Sequence, residues 1–309
     1  MAGSPTLTPL ALTSSALTAP AVLAFEETRR RWLLRSRAEA ALLLLALAAL
    51  AWLSAGVSGF TADAVLTGLP RIGEYFQRIA PTLEPGALFA GAKTEGSIAY
   101  WFYRLDAWLL LLLETAQMAL MATVIGAVGA FSCFLAARST SPSGWVAVTV
   151  RRILELMRTV PDIVYALILV WAYGIGPLAG ILAMAIHSTG ALGKLMSDVV
   201  ETVERRPIEG IRASGGNWLH AMRFGVLPQV LPAFVSYTLL RFEVNVRSAS
   251  VIGFVGAGGI GQELYTVISS NYYEEISAIV LLIVLTVVVI DLVSQRLRKA
   301  LLGTLGERA

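Results

Sequence analysis

Long apolar runs separated by short polar and basic stretches dominate the chain. Residues 40–60 hold no charge, and residues 108–137 hold only Glu114. A bilayer crossing needs about 20 mostly apolar residues in a helix, so both read as spans. Residues 160–173 and 178–196 flank Gly174-Ile175-Gly176-Pro177, where glycine and proline stop one helix and start the next. They read as two spans joined by a tight hairpin. Residues 229–252 and 276–293 complete the set. The pattern predicts an all-α polytopic membrane protein with six transmembrane helices.

Composition agrees. Of 309 residues, 56% are hydrophobic and 15% charged, with mean hydropathy +0.71. Soluble domains carry about 45–50% apolar and about 25% charged residues, so a soluble globular chain is excluded. The single Cys133 excludes a disulfide framework and a cysteine-based metal cluster. With only His187 and His220, no multi-histidine metal site is expected. The net charge of +3 is too small to point to nucleic acid.

The positions of the basic residues predict orientation. Arg29, Arg30, Arg31, Arg35 and Arg37 precede the first span, and Arg138, Arg151, Arg152 and Arg158 lie between the second and third. Lys194, Arg205, Arg206, Arg212 and Arg223 surround the loop after the fourth, and Arg296, Arg298, Lys299 and Arg308 follow the sixth. Residues 253–275 and the hairpin have no Lys or Arg, and residues 61–107 have four basic against five acidic residues. Alternate loops are therefore basic, which places both termini in the cytoplasm. In residues 1–37 the arginines follow the apolar stretch, the reverse of a secretory signal, so this segment reads as a flexible basic cytoplasmic tail. Residues 38–107 read as the first span and an external loop. Within it Leu69, Ile72, Phe76 and Ile79 recur at helical spacing, either on the outer membrane surface or packed on the bundle. Residues 298–309 read as a cytoplasmic C-terminal tail.

The loop between the fourth and fifth spans carries a distinct pattern. Pro207 and Glu209 suit the first turn of a helix, and Gly215-Gly216 allows a sharp backbone change or close approach by another chain. Ile208, Ile211 and Ala213 form a small apolar face suited to a partner's groove; a solvated loop helix is the other reading. Glu209-Gly210-Ile211, three residues, Gly215 and a closing Leu227-Pro228 resemble the EAA motif of ABC-importer permeases. Gly210 and Ile211 replace the two alanines and Gly225 the isoleucine, which resembles the phosphonate-type version. Arg158-Thr-Val-Pro-Asp-Ile-Val164, Ala185-Ile-His-Ser-Thr-Gly-Ala-Leu-Gly-Lys194 and Arg241-Phe-Glu-Val-Asn-Val-Arg-Ser-Ala-Ser250 running into the glycines at 256–261 extend the resemblance over about residues 100–300.

That resemblance implies a type I ABC importer permease of the bacterial inner membrane, a homodimer with its permease core at residues 108–297. A coupling helix near 204–219 would seat Glu209, Gly210, Ile211, Ala213 and Gly215 in a cytoplasmic ATPase dimer, and an external substrate-binding protein would deliver substrate. The chain carries no Gly-rich phosphate-binding loop ending in Lys-Ser/Thr. It is therefore not expected to be an enzyme or to bind a cofactor, and ATP with magnesium would be hydrolysed by the partner.

The fifth span holds Arg241, Glu243, Asn245 and Arg247 at membrane depth, where a charge costs about 2.5–3.5 kcal/mol unless paired or facing a cavity. Arg241, Asn245 and Ser248 share one face, and Arg241 has no local acidic partner there. This predicts a translocation pathway for an anion, with two copies forming a positive constriction. Glu243 and Arg247 have the spacing of an intrahelical pair, structural or pathway-lining. His187 is either an interhelical hydrogen-bond partner or part of the pathway. Glu114 is a candidate partner for Arg241 or Arg247. Gly256-Ala-Gly-Gly-Ile-Gly261 fits Gly-x-Gly-x-x-Gly but lacks a strand–turn–helix context, so it is not read as a dinucleotide site. Gly256, Gly258, Gly259 and Gly261 are instead expected to form a broken, close-packed outer gate. The polar, aromatic and acidic stretch 269–275 is a candidate contact for the external binding protein.

The expected function is import of phosphonate, phosphite, hypophosphite or a phosphate ester by alternating access. A methionine or quaternary-amine importer is the alternative. A secondary carrier would show two related halves, and a membrane enzyme would need a nucleophile–base pair that His187, Glu243 and Cys133 do not supply.

Overall fold

The computed structural model describes residues 19–306, so the first eighteen residues of the expected tail, and Arg308, lie outside the described residues. The chain forms two compact units divided between Glu74 and Tyr75. In the first, α1 (Ala19–Ser58) runs for 40 residues without a break. Of the flexible tail expected over residues 1–37, the part from Ala19 stands on helix, Arg29 to Arg37 included. The reason is local: residues 21–55 contain no Gly or Pro and are rich in Ala, Leu, Arg and Glu, the strong helix formers. Helix α2 (Ala62–Ile79) follows and buries no side chain; Leu69, Ile72 and Phe76 are exposed.

The second unit carries the remaining helices. They are α3 (Ile98–Trp101), α4 (Leu105–Ala130), α5 (Cys133–Ala136), α6 (Gly144–Thr159), α7 (Asp162–Tyr173), α8 (Pro177–Glu201), α9 (Arg206–Ala213), α10 (Trp218–His220), α11 (Leu227–Ile252), α12 (Gly259–Ser269) and α13 (Tyr273–Gly306). A π-helical turn (Ala221–Val226) leads into α11 and a 3₁₀ turn (Gly253–Val255) follows it. Among the described residues there is no strand.

Helix α8 is the axis of this unit, flanked by α4, α6, α7 and α11. The contact with α6 depends on Gly190: a Cβ there would lie 2.7 Å from the Leu154 carbonyl oxygen and the Arg158 nitrogen. Charges fasten the same two helices. Asp198 accepts from Arg151 Nη2 at 2.6 Å and from Lys194 Nζ at 2.7 Å. The Arg151 pair joins α6 to α8, and the Lys194 pair lies within α8 and holds Asp198 in place.

Among the described residues, four helices are long and apolar enough to cross a membrane: Ala24–Ser58, Leu105–Ala136, Pro177–Glu201 and Tyr273–Leu301. Trp218–Val255 and Gly259–Ser269 qualify together, as a pair bent by 45°. Helix α7 has 12 residues, about 18 Å of rise against a hydrocarbon core of about 30 Å. It continues from α6 across Val160 and Pro161, and both pack along α8.

Candidate functional site

The expected coupling segment is α9, which starts with Pro207 in its first turn, where a missing N–H costs nothing. Gly215 follows at φ +84°, the left-handed conformation that ends a helix, and open space surrounds it. Glu209, Gly210, Ala213 and Gly215 are exposed. Of the expected apolar docking face, Ile208 turns inward, whereas Ile211 keeps part of its surface on an open cleft with Pro207 and Gly210. Ile208 is buried and Ile211 half-buried, and both pack near Gly225 in a core with Ala221, Met222 and Val226. The missing isoleucine of the motif thus makes room for these two side chains. They anchor α9 from beneath and leave its polar and glycine face outward. Ile208→Ala should loosen this anchor by about 2 kcal/mol and speed tryptic cleavage around Arg205, Arg206 and Arg212 by about 30-fold, as read by timed proteolysis.

Helix α11 divides its polar residues differently from the expected faces. Arg247 is exposed, and Arg241 and Ser248 are half-buried; Asn245 and Glu243 are buried. Asn245 therefore joins helices instead of lining the open face. Its Nδ2 donates to Thr123 Oγ1 of α4 at 2.9 Å and to Ser188 Oγ of α8 at 3.0 Å. Ser188 Oγ also accepts from Arg241 Nε at 3.0 Å. The two terminal nitrogens of Arg241 make no hydrogen bond among the described residues, and Asp162 is the acidic group whose charge reaches it. Thr123 and Ser188 were not singled out from the sequence, although hydroxyls at membrane depth are a usable signal.

The expected Glu243–Arg247 pair is not formed. Arg247 Nε instead donates to the backbone oxygen of Glu243 at 3.3 Å. Glu243 lies beside Asp291 of α13, and its Oε1 is buried without a hydrogen bond. Glu114 is half-buried and pairs with neither arginine. His187 Nδ1 lies 3.0 Å from the Val160 carbonyl oxygen, and in the tautomer protonated there it donates across to the α6–α7 connection.

The glycine-rich stretch is a close-packed joint. Gly176 N–H donates to the Gly256 carbonyl at 2.9 Å, tying the hairpin to it, and Thr115 Oγ1 accepts from Ile260 N–H at 2.9 Å. Gly256, Gly258 and Gly259 have positive φ, and a Cβ on Gly261 would collide with the Ser250 carbonyl oxygen. After this joint α12 buries Ile260, Leu264 and Val267 against Trp108 and Ile279. This helix stands where an external loop is expected, and Ile260, Leu264 and Val267 recur along it at helical spacing.

Near residues 271–275 a cleft is lined by Tyr100, Trp101, Tyr103, Tyr272 and Glu275, with Arg78 at its edge. Tyr103 donates to Glu275 Oε1 at 2.7 Å, and burial together with this carboxylate pushes its hydroxyl up to about 12.

Residues 129–303 match the family described as "Binding-protein-dependent transport system inner membrane component". The phosphite transport system permease protein PtxC of Stutzerimonas stutzeri is 38% identical over 193 residues, covering 62% of this chain and 70% of that protein. The putative cryptic phosphonate transport system permease protein PhnE2 of Escherichia coli (strain K12) is 53% identical over 118 residues, covering 38% of this chain and 97% of that protein. A chain of the MetNI methionine ABC transporter, in an inward-facing conformation, superposes with TM-score 0.56 at 21% identity, covering 64% of this chain and 98% of that one. That likeness shows the fold, the helical fold of type I ABC importer permeases. The chain is a multi-pass membrane protein and belongs to the inner membrane components of binding-protein-dependent transport systems.

Proposed function

We propose that this protein is the membrane subunit of an ATP-driven importer for phosphorus oxyanions of the phosphonate and phosphite class. The observation that carries the reading is Arg241 of α11, held through Nε by Ser188 with its two terminal nitrogens free of hydrogen bonds among the described residues, on the same helix face as the half-buried Ser248. A charge at membrane depth does not face lipid; it faces a water-filled path or a partner. Arginine suits a tetrahedral oxyanion because its planar fork offers parallel donors. The names of the curated relatives, which concern phosphite and phosphonate, support the same substrate class.

Two copies face each other across this surface, so that Arg241 and Arg247 from both line one positive constriction. Six segments cross the membrane, α7 completing its crossing with the end of α6, and both termini are cytoplasmic. The joint of Gly256, Gly258, Gly259 and Gly261 is the outer gate. Helix α9 seats on a cytoplasmic ATPase, which binds ATP and magnesium; this chain binds neither and catalyses no reaction itself. The external binding protein docks near residues 269–275. A methionine or quaternary-amine importer of the same fold is the second reading, and the two unpaired guanidinium groups disfavour a cation.

Proteoliposomes holding this chain, its ATPase and its binding protein test the proposal. Internal ATP should drive uptake of labelled phosphite or methylphosphonate, each competing with the other. Uptake of methionine or glycine betaine in place of both would overturn it.

A further inference from the structure

A second charged site lies beside α9, and its chemistry says something about the partner. A cleft of about 300 Å³ is lined by Arg138, Ser139, Arg205, Glu209 and Arg212. Arg205 and Arg212 are seven residues apart, two turns along one side of α9, and Arg138 faces them from the segment after α5. Among the described residues none of the three guanidinium groups makes an ion pair or a side-chain hydrogen bond, although Glu209 stands between Arg205 and Arg212. The nearby Arg206 is different, pairing with Glu204 at 3.7 Å. The Ser139 hydroxyl oxygen beside them is buried and makes no hydrogen bond.

The orientation rule accounts for arginines on the cytoplasmic side but not for three of them converging unpaired on one concavity beside a buried hydroxyl. On the proposed reading α9 is covered by the ATPase. Covering guanidinium groups strips their water, at a cost of several kcal/mol per uncompensated charge. Carboxylates from the covering surface reverse that balance, because charge-assisted hydrogen bonds to Arg are among the strongest a protein makes.

We infer that this cleft is a carboxylate socket that receives acidic side chains of the ATPase flanking the groove in which α9 sits. Glu209 then sets the register by repelling acidic groups from the middle of the stripe, leaving Arg138, Arg205 and Arg212 to take them. The inference rests on the coupling role of α9 and adds the charge of the surface that meets it.

The test uses full-length protein in nanodiscs and the purified partner ATPase, with affinity measured by biolayer interferometry at rising sodium chloride. Arg205 and Arg212 are exposed, so the Arg205→Gln, Arg212→Gln double variant should fold; its melting temperature checks this. Wild-type affinity should fall with salt, and the double variant should bind about tenfold or more weakly with a flatter salt dependence. The double lysine variant, which keeps both charges, should retain most of the affinity. Equal, salt-independent binding by wild type and the glutamine variant overturns the socket while leaving α9 as the docking element. Loss of phosphate binding in the glutamine variant with unchanged ATPase affinity assigns the cleft to a free anion and also overturns it. No ATPase binding by wild type removes the coupling reading itself, and the socket with it.

Discussion

Replacing Arg241 with glutamine is expected to lower phosphonate or phosphite uptake about 100-fold while leaving the transport complex assembled. The side chain is held at one point, Nε to Ser188 Oγ at 3.0 Å, and its two terminal nitrogens make no hydrogen bond among the described residues. A hydrogen bond to a charged group contributes about 1.5–3 kcal/mol, and in the proposed homodimer the loss is felt in each of two copies. Each 1.4 kcal/mol is a factor of about ten, which brings two losses to about 100-fold. Arg241→Lys keeps the charge but loses both the Nε tether and the fork, and should cost about tenfold. Uptake into proteoliposomes gives the rate, and ATPase co-purification with the melting temperature reports assembly. Normal uptake by Arg241→Gln would remove Arg241 from the pathway.

The largest effect on stability is expected at Gly261. A Cβ there meets the Ser250 carbonyl oxygen, the Gly253 Cα at 3.1 Å, and no flexible side-chain end that could yield. Both obstacles are backbone, so Gly261→Ala must separate the end of α11 from the start of α12. The cost should exceed about 3 kcal/mol, at the upper end of what overpacking produces. Gly215→Ala is the contrast: φ is +84° but nothing lies within 4 Å, so only the left-handed penalty of about 1–2 kcal/mol applies. Monodisperse yield and thermal stability in detergent should drop sharply for the first and slightly for the second. Similar behaviour of the two would show that close packing at Gly261 costs no more than the left-handed conformation at Gly215.

Much of the fold is legible in the chain because membrane insertion is read locally. Residues 40–60 and 108–137 have so few charges that nothing beyond the segment is needed to know they seek lipid or a core. The Gly174-Ile175-Gly176-Pro177 break also acts locally, and the α7–α8 hairpin stands there. The EAA-like spacing located α9 because backbone turns recur at fixed intervals in a motif. Residues 144–159 did not read as packed helix, because their arginines and glutamate hid an apolar stripe whose partner is Gly190. Nor did α12, whose short apolar repeat has meaning only against Trp108 and Ile279.

The division within α11 shows most clearly what each level decides. Arg241, Glu243, Asn245 and Arg247 as a set make this helix the expected pathway helix, since uncompensated charge at membrane depth is costly. That inference needs only the chain. Which of them faces the open side depends on the azimuth at which α11 packs against α4 and α8. That azimuth follows from Thr123 and Ser188, 122 and 57 residues away from Asn245. The same holds for Ile208, apolar in sequence whether it docks or anchors, and turned inward only because Gly225 leaves room for it. The sequence by itself determined the class, the transport family and the residues that carry charge into the membrane, because those follow from local composition and spacing. Only the tertiary structure decided direction, because where a side chain points is settled by long-range contacts that no local window contains.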